Sequence, residues 1–109
     1  MSREDTIQEV TRRLVEHFHP QRIYLFGSVA RQESGPDSDL DFCMVVPDEA
    51  LNTGRLGVRR ILRGLGTAVD VVCWGASDFD ARGTHVAASL PATVIREGRL
   101  LYDARPVPA

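Results

Sequence analysis

Two aspartates one residue apart, Asp39 and Asp41, follow a Gly27-Ser28 pair after ten intervening residues. Carboxylate oxygens are hard donors, and two of them on one side of the chain can grip a pair of divalent cations. Gly27 would let a phosphate come close to the backbone. If a short helix starts at Ser28 and runs through Ala30 and Arg31, its first amides favour an anion. The stretch from Gly27 to Asp41 therefore has the groups needed to hold a nucleoside triphosphate and its metal ions.

The flanking segments would position these groups. Arg22-Ile23-Tyr24-Leu25-Phe26, between Pro20 and Gly27, is a β-branched and aromatic run that reads as a strand. Leu40 to Val46, ended by Pro47, reads as a second strand. Alternate side chains of a strand share a face, so Asp39 and Asp41 point the same way and Leu40 points opposite. A second Asp-x-Asp, at Asp78 and Asp80, precedes no apolar run. Ser77 with Asp80 reads there as a helix capping box, and neither aspartate receives a catalytic role.

Around this centre the 109 residues predict one domain, residues 1–104, with a Pro-containing disordered tail at 105–109. Ser2 to Phe18 reads as a helix with Ile7, Val10, Leu14 and Phe18 on one stripe, and Ser2 and Asp5 as its capping box. Leu51 to Leu65 reads as a second helix with Val58, Ile61, Leu62 and Leu65 inward. Thr67 to Trp74 is a third strand. Thr84 to Glu97 is one helix bent near Pro91 and capped by Gly98, and Leu100 to Tyr102 adds an edge strand. Strand parity sends Cys43 and Cys73 to opposite sides of the sheet, as buried reduced thiols of a cytoplasmic protein. No apolar stretch is long enough to span a membrane. The net charge of -2 argues against a dedicated nucleic-acid binder, which would show a basic stripe. Arg55, Arg59, Arg60 and Arg63 make a solvated helix face or a docking surface for an acidic partner. His17 and His19 diverge at the end of the first helix, which disfavours a metal pair there.

The string Gly-Ser-x-Ala-Arg, a variable turn, then Ser-Asp-x-Asp, met at Gly27, Ser28, Ala30, Arg31, Ser38, Asp39 and Asp41, resembles the signature of the minimal nucleotidyltransferases of the DNA polymerase β superfamily. Gln32 stands where a Gly is common in that family. The family carries a third carboxylate on a later strand, and Asp70 in Val69-Asp70-Val71-Val72 fits it. Its closing helix, Arg-Glu-Gly and short strand fit Ile95 to Tyr102. The resemblance covers nearly the whole chain. It implies an α/β fold of the α+β type, with a small mixed sheet of three to four strands and helices packed on one face. It also implies that Asp39, Asp41 and Asp70 are the catalytic metal ligands for Mg²⁺ or Mn²⁺, with Asp70 able to take a proton from the acceptor hydroxyl. Gly27, Ser28, Arg31 and Ser38 would bind the phosphates of a nucleoside triphosphate substrate.

The same resemblance implies the acceptor. A chain that is the catalytic core and little more would need a partner chain, or another copy of itself in a homo-oligomer, to hold the acceptor. Stand-alone members of this size are typically antitoxins encoded beside a helical HEPN ribonuclease toxin, and they attach AMP from ATP to a tyrosine hydroxyl of that toxin. The alternatives are a non-catalytic antitoxin that neutralises its toxin by binding, or a transferase acting on a small molecule or an RNA end.

Overall fold

The computed structural model of the chain describes residues 2–27, 40–65 and 69–104. Ser2 caps the first helix, α1 (Arg3–Phe18): its hydroxyl accepts from the Asp5 amide at 3.1 Å, and the Asp5 carboxylate accepts from the Ser2 amide at 3.3 Å. This is the expected capping box. Strands β1 (Arg22–Phe26) and β2 (Leu40–Val46) follow, then a 3₁₀ turn at Asp48–Ala50, helix α2 (Leu51–Ile61) and strand β3 (Val69–Gly75). Helices α3 (Ala76–His85) and α4 (Leu90–Glu97) lead to the edge strand β4 (Arg99–Asp103).

The strands form one four-stranded sheet in the order β3-β2-β1-β4. β2 runs antiparallel to β1 and parallel to β3, and β4 is antiparallel to β1. A parallel neighbour needs a crossover, and α2 supplies it. The fold is thus the expected mixed sheet of the α+β type.

The helices, however, lie on both faces of the sheet rather than one. Ile7, Val10 and Leu14 of α1 and Val58 of α2 pack with Ile23, Leu25, Leu40, Phe42, Met44 and Val46. The opposite parity, Tyr24, Cys43 and Val45, packs with Phe79 of α3 and Val94 of α4. β2 is apolar at every position from Phe42 to Val46, so both its faces must be covered.

Three local expectations also change. The segment 84–97 is two helices, not one bent helix. Pro91 has no amide hydrogen to donate to a preceding turn and is tolerated only in the first turn of a helix, so a new helix starts at Leu90 with Ser89 as its N-cap. The Ser89 hydroxyl accepts from the Ala92 amide at 3.2 Å and donates to the Val86 carbonyl at 2.7 Å. Second, α2 ends at Ile61 instead of Leu65, because Gly64 adopts φ +82°, a left-handed conformation that stops the helix. Third, Ser77 and Asp80 form no capping box. The Ser77 amide donates to Asp48 Oδ1 at 3.0 Å, from the 3₁₀ turn, and Ser77 holds the Asp48 carboxyl below its ordinary range. Asp80 instead pairs with Arg22, a buried cation that also lies 5.0 Å over the Phe79 ring. Asp78 pairs with Arg82 at 3.0 Å.

The thiols of Cys43 and Cys73 are free and buried on opposite faces, as parity requires. The predicted tail, 105–109, and Thr67 lie outside the described residues. No helix among the described residues is long and apolar enough to cross a membrane.

Two predictions follow from this packing. A Cβ on Gly98 would lie 2.5 Å from the Val94 carbonyl oxygen and 3.2 Å from that of Leu25, both backbone atoms. Gly98→Ala should therefore cost about 1–3 kcal/mol, the usual range for overpacking, measured by urea denaturation. Burial pushes the Cys43 thiol up to about 12 and that of Cys73 up to about 11, from an ordinary 9.0. A folded pKa above the unfolded one stabilises below the unfolded value, and that contribution is lost as pH rises through the folded value. The stability advantage of wild type over Cys43→Ala should accordingly be constant up to pH 9 and shrink above it. A gap that stays constant at higher pH would contradict this account.

Candidate functional site

Strand register builds the site. β1 ends with Phe26 opposite Asp41, and the parallel β2–β3 ladder sets Asp41 level with Asp70. The two carboxylates have the same parity with respect to the sheet, so they stand side by side on neighbouring strands, whose usual spacing is about 4.8 Å. Asp41 is half-buried and Asp70 exposed. They sit where β2 and β3 begin, away from the end that Phe79 and Val94 cover.

Gly27 closes the other side. It adopts φ +80°, which L side chains rarely adopt. A Cβ there would lie 2.7 Å from Asp41 Oδ2. A glycine at this position lets the chain turn out of β1 and leaves the Asp41 carboxylate its room. Of the residues expected at the site, Gly27, Asp41 and Asp70 converge; Ser28, Arg31, Ser38 and Asp39 lie outside the described residues.

A cleft of about 590 Å³ opens at the β3 edge. Asp41 and Asp70 line it with Val69, Val71 and Val72, and Val58, Leu62, Arg59 and Arg63 line it from α2 and the turn that ends it. From sequence the two arginines belong to a solvated helix face or a docking surface for an acidic partner, with no link to the aspartates. Their place in the cleft follows from the crossover: a helix linking β2 to a parallel β3 must pass beside β3, and its outer edge then borders the start of that strand. The position of that helix, between the two aspartate-bearing strands, was the available signal.

A family model described as the nucleotidyltransferase domain matches residues 7–75. The chain belongs to this family. The match spans Gly27, Asp41 and Asp70. Solved structures agree. A candidate minimal nucleotidyltransferase is 27% identical with a TM-score of 0.61, covering 93% of this chain and 97% of its own. A candidate nucleotidyltransferase from Sulfolobus solfataricus is 20% identical with a TM-score of 0.63, covering 92% and 79%. A toxin-antitoxin structure with AMP-PNP is 22% identical with a TM-score of 0.62, covering 90% and 73%. A search of curated protein sequences finds no match.

The contact between Gly27 and Asp41 in this nucleotidyltransferase is testable by a double-mutant cycle. Gly27→Ala should cost about 1–2 kcal/mol from the left-handed backbone alone, plus a share from the collision with Asp41. In an Asp41→Ala background only the backbone share should remain, so the cost should fall. Equal costs in both backgrounds, by urea denaturation, would show that residue 27 does not press on Asp41.

Proposed function

We propose that the protein transfers AMP from ATP to a hydroxyl of a partner chain and in this way acts as an antitoxin. The observation that carries the reading is the convergence of Asp41 and Asp70, level on adjacent strands, with Gly27 against Asp41. Family membership supports nucleotidyl transfer in general. The toxin-antitoxin structure with AMP-PNP, and a mutant of the MntA-HpeT toxin-antitoxin complex that is 22% identical with a TM-score of 0.60, support an adenine nucleotide and a toxin partner. The family resemblance adds that the partner is a HEPN-type toxin and the acceptor one of its tyrosines.

The donor set suits the metal this chemistry uses. Two aspartates with hard oxygen donors on a rigid sheet match Mg²⁺ or Mn²⁺, and Asp39 would complete the set. When bound, the cations neutralise the triphosphate and lower the pKa of the attacking hydroxyl. The acceptor oxygen attacks the α-phosphorus; the bond from that phosphorus to the bridging oxygen of the β-phosphate breaks, and pyrophosphate leaves. Asp70, exposed at the mouth of the cleft, takes the hydroxyl proton. Gly27, Ser28, Arg31 and Ser38 hold the phosphates that depart.

With Mg²⁺, label from α-labelled ATP should move onto a copurifying partner, and label from γ-labelled ATP should not. Removing a metal ligand costs several kcal/mol of transition-state stabilisation, so Asp41→Ala or Asp70→Ala should slow labelling on the order of a thousandfold. A wild type that binds its partner but labels nothing with any nucleotide would leave a non-catalytic binding antitoxin as the reading.

A further inference from the structure

The cleft beside Asp41 and Asp70 carries two cations that the transfer chemistry does not use. Arg59 stands in the last turn of α2 and Arg63 in the turn that follows the helix. Both are exposed, both line the cleft, and neither is in a salt bridge among the described residues. They are also held in place: the Arg13 guanidinium of α1 donates to the Ile61 and Arg63 carbonyls, each at 3.0 Å, and fixes the end of α2.

Their side of the site matters. Across the sheet the order is Gly27 at the end of β1, Asp41 on β2, Asp70 on β3, and then the cleft with the two arginines. α2 packs on the face of the sheet opposite to the carboxylates, and the cleft reaches round the β3 edge, so the arginines border Asp70 from that edge while Gly27 borders Asp41 from the β1 side. With the triphosphate assigned to the Gly27 side by the proposed transfer reading, an anion bound at the β3 edge belongs to the other reactant.

We propose that Arg59 and Arg63 recognise the acceptor, and that the acceptor hydroxyl lies in a protein segment flanked by acidic side chains. This deepens the transfer reading and rests on it. Each planar guanidinium can take a carboxylate through two parallel hydrogen bonds. A neighbouring feature favours a protein over a nucleic acid. Leu56 is 85% exposed, and it lies three and four residues before Arg59 and Arg60, on one side of α2. Leu56 and Arg60 line a second cleft of about 410 Å³ with Phe18 of α1. An apolar anchor beside a short pair of cations suits an acidic peptide with an apolar residue near its hydroxyl. A nucleic acid would call for a longer cationic track than this chain of net charge -2 provides here.

The probes are a fluorescent peptide with one tyrosine between two glutamates and a nearby leucine, the same peptide with glutamines for glutamates, and a short single-stranded RNA. Wild type should bind the acidic peptide about tenfold more tightly than the glutamine peptide, from two partly exposed charge pairs, and more tightly than the RNA. In the Arg59→Gln/Arg63→Gln double variant that preference should vanish, and Arg59→Lys/Arg63→Lys should restore part of it. In the labelling assay the double variant should raise KM for the acidic peptide and leave kcat and ATP affinity unchanged. Equal binding of the two peptides by wild type, tighter binding of the RNA, or loss of ATP affinity in the double variant would each overturn the proposal. Binding is read without turnover. A specific acidic-peptide complex with no labelling would therefore count against the transferase reading alone.

Discussion

The parallel ladder between β2 and β3 sets the geometry on which the site depends. Two carboxylates that repel one another are held level because the backbone hydrogen bonds on either side of them fix the register. A slip of one residue would turn Asp70 to the opposite face and bring Val69 or Val71 up beside Asp41. The run Phe42 to Val46 guards against such a slip, since it is buried on both faces and each residue has its own neighbours to lose. The polar end of β2 is thus anchored by its apolar remainder.

That anchoring needs two layers of helices. α1 and α2 cover the face lined by Leu40, Phe42 and Met44, while α3 and α4 cover Cys43 and Val45. The second layer is drawn in by Phe79, fully buried, whose ring stacks on Tyr24 with centroids 5.7 Å apart and meets the edge of Trp74 at 6.5 Å. Arg22 is buried in the same layer against Phe79 and reaches the partly exposed Asp80, so its charge is not stranded. Asp48 reaches across to the first turn of α3 and fixes where that helix begins. None of these groups touches the site. They hold the sheet that carries it.

The crossover helix then shapes the cleft beside the site. α2 must pass β3 to connect two parallel strands, and it brings Arg59 and Arg63 to the rim beside the aspartates. The surroundings of the carboxylates are thereby asymmetric, with Gly27 beside Asp41 and the α2-lined cleft at Asp70. A two-substrate reaction needs such an asymmetry, because nucleotide and acceptor must approach the same carboxylates from different directions.

Much of this was legible in the chain because it is local. The periodicities of α1, β1 and β2, the Ser2–Asp5 capping box and the Gly27-to-Asp41 spacing are short-range patterns with few alternative readings. The family resemblance marked Asp70, and strand parity then placed the cysteines on opposite faces. What the sequence could not determine involves partners distant along the chain. Asp80 was read as a cap for its neighbour Ser77, yet it pairs with Arg22, and Ser77 is capped by Asp48. Local rules rank the nearest acceptor first, while packing decides which acceptor is within reach. The break before Ser89 and the end of α2 at Ile61, ahead of the left-handed Gly64, were misjudged for a related reason: apolar periodicity continues through both points, and only the backbone conformation interrupts it. The placement of helices on both faces, and of Arg59 and Arg63 beside Asp41 and Asp70, depended on strand order. Sequence fixes which residues form each strand; tertiary structure alone decides which strands are neighbours, and so which charges meet.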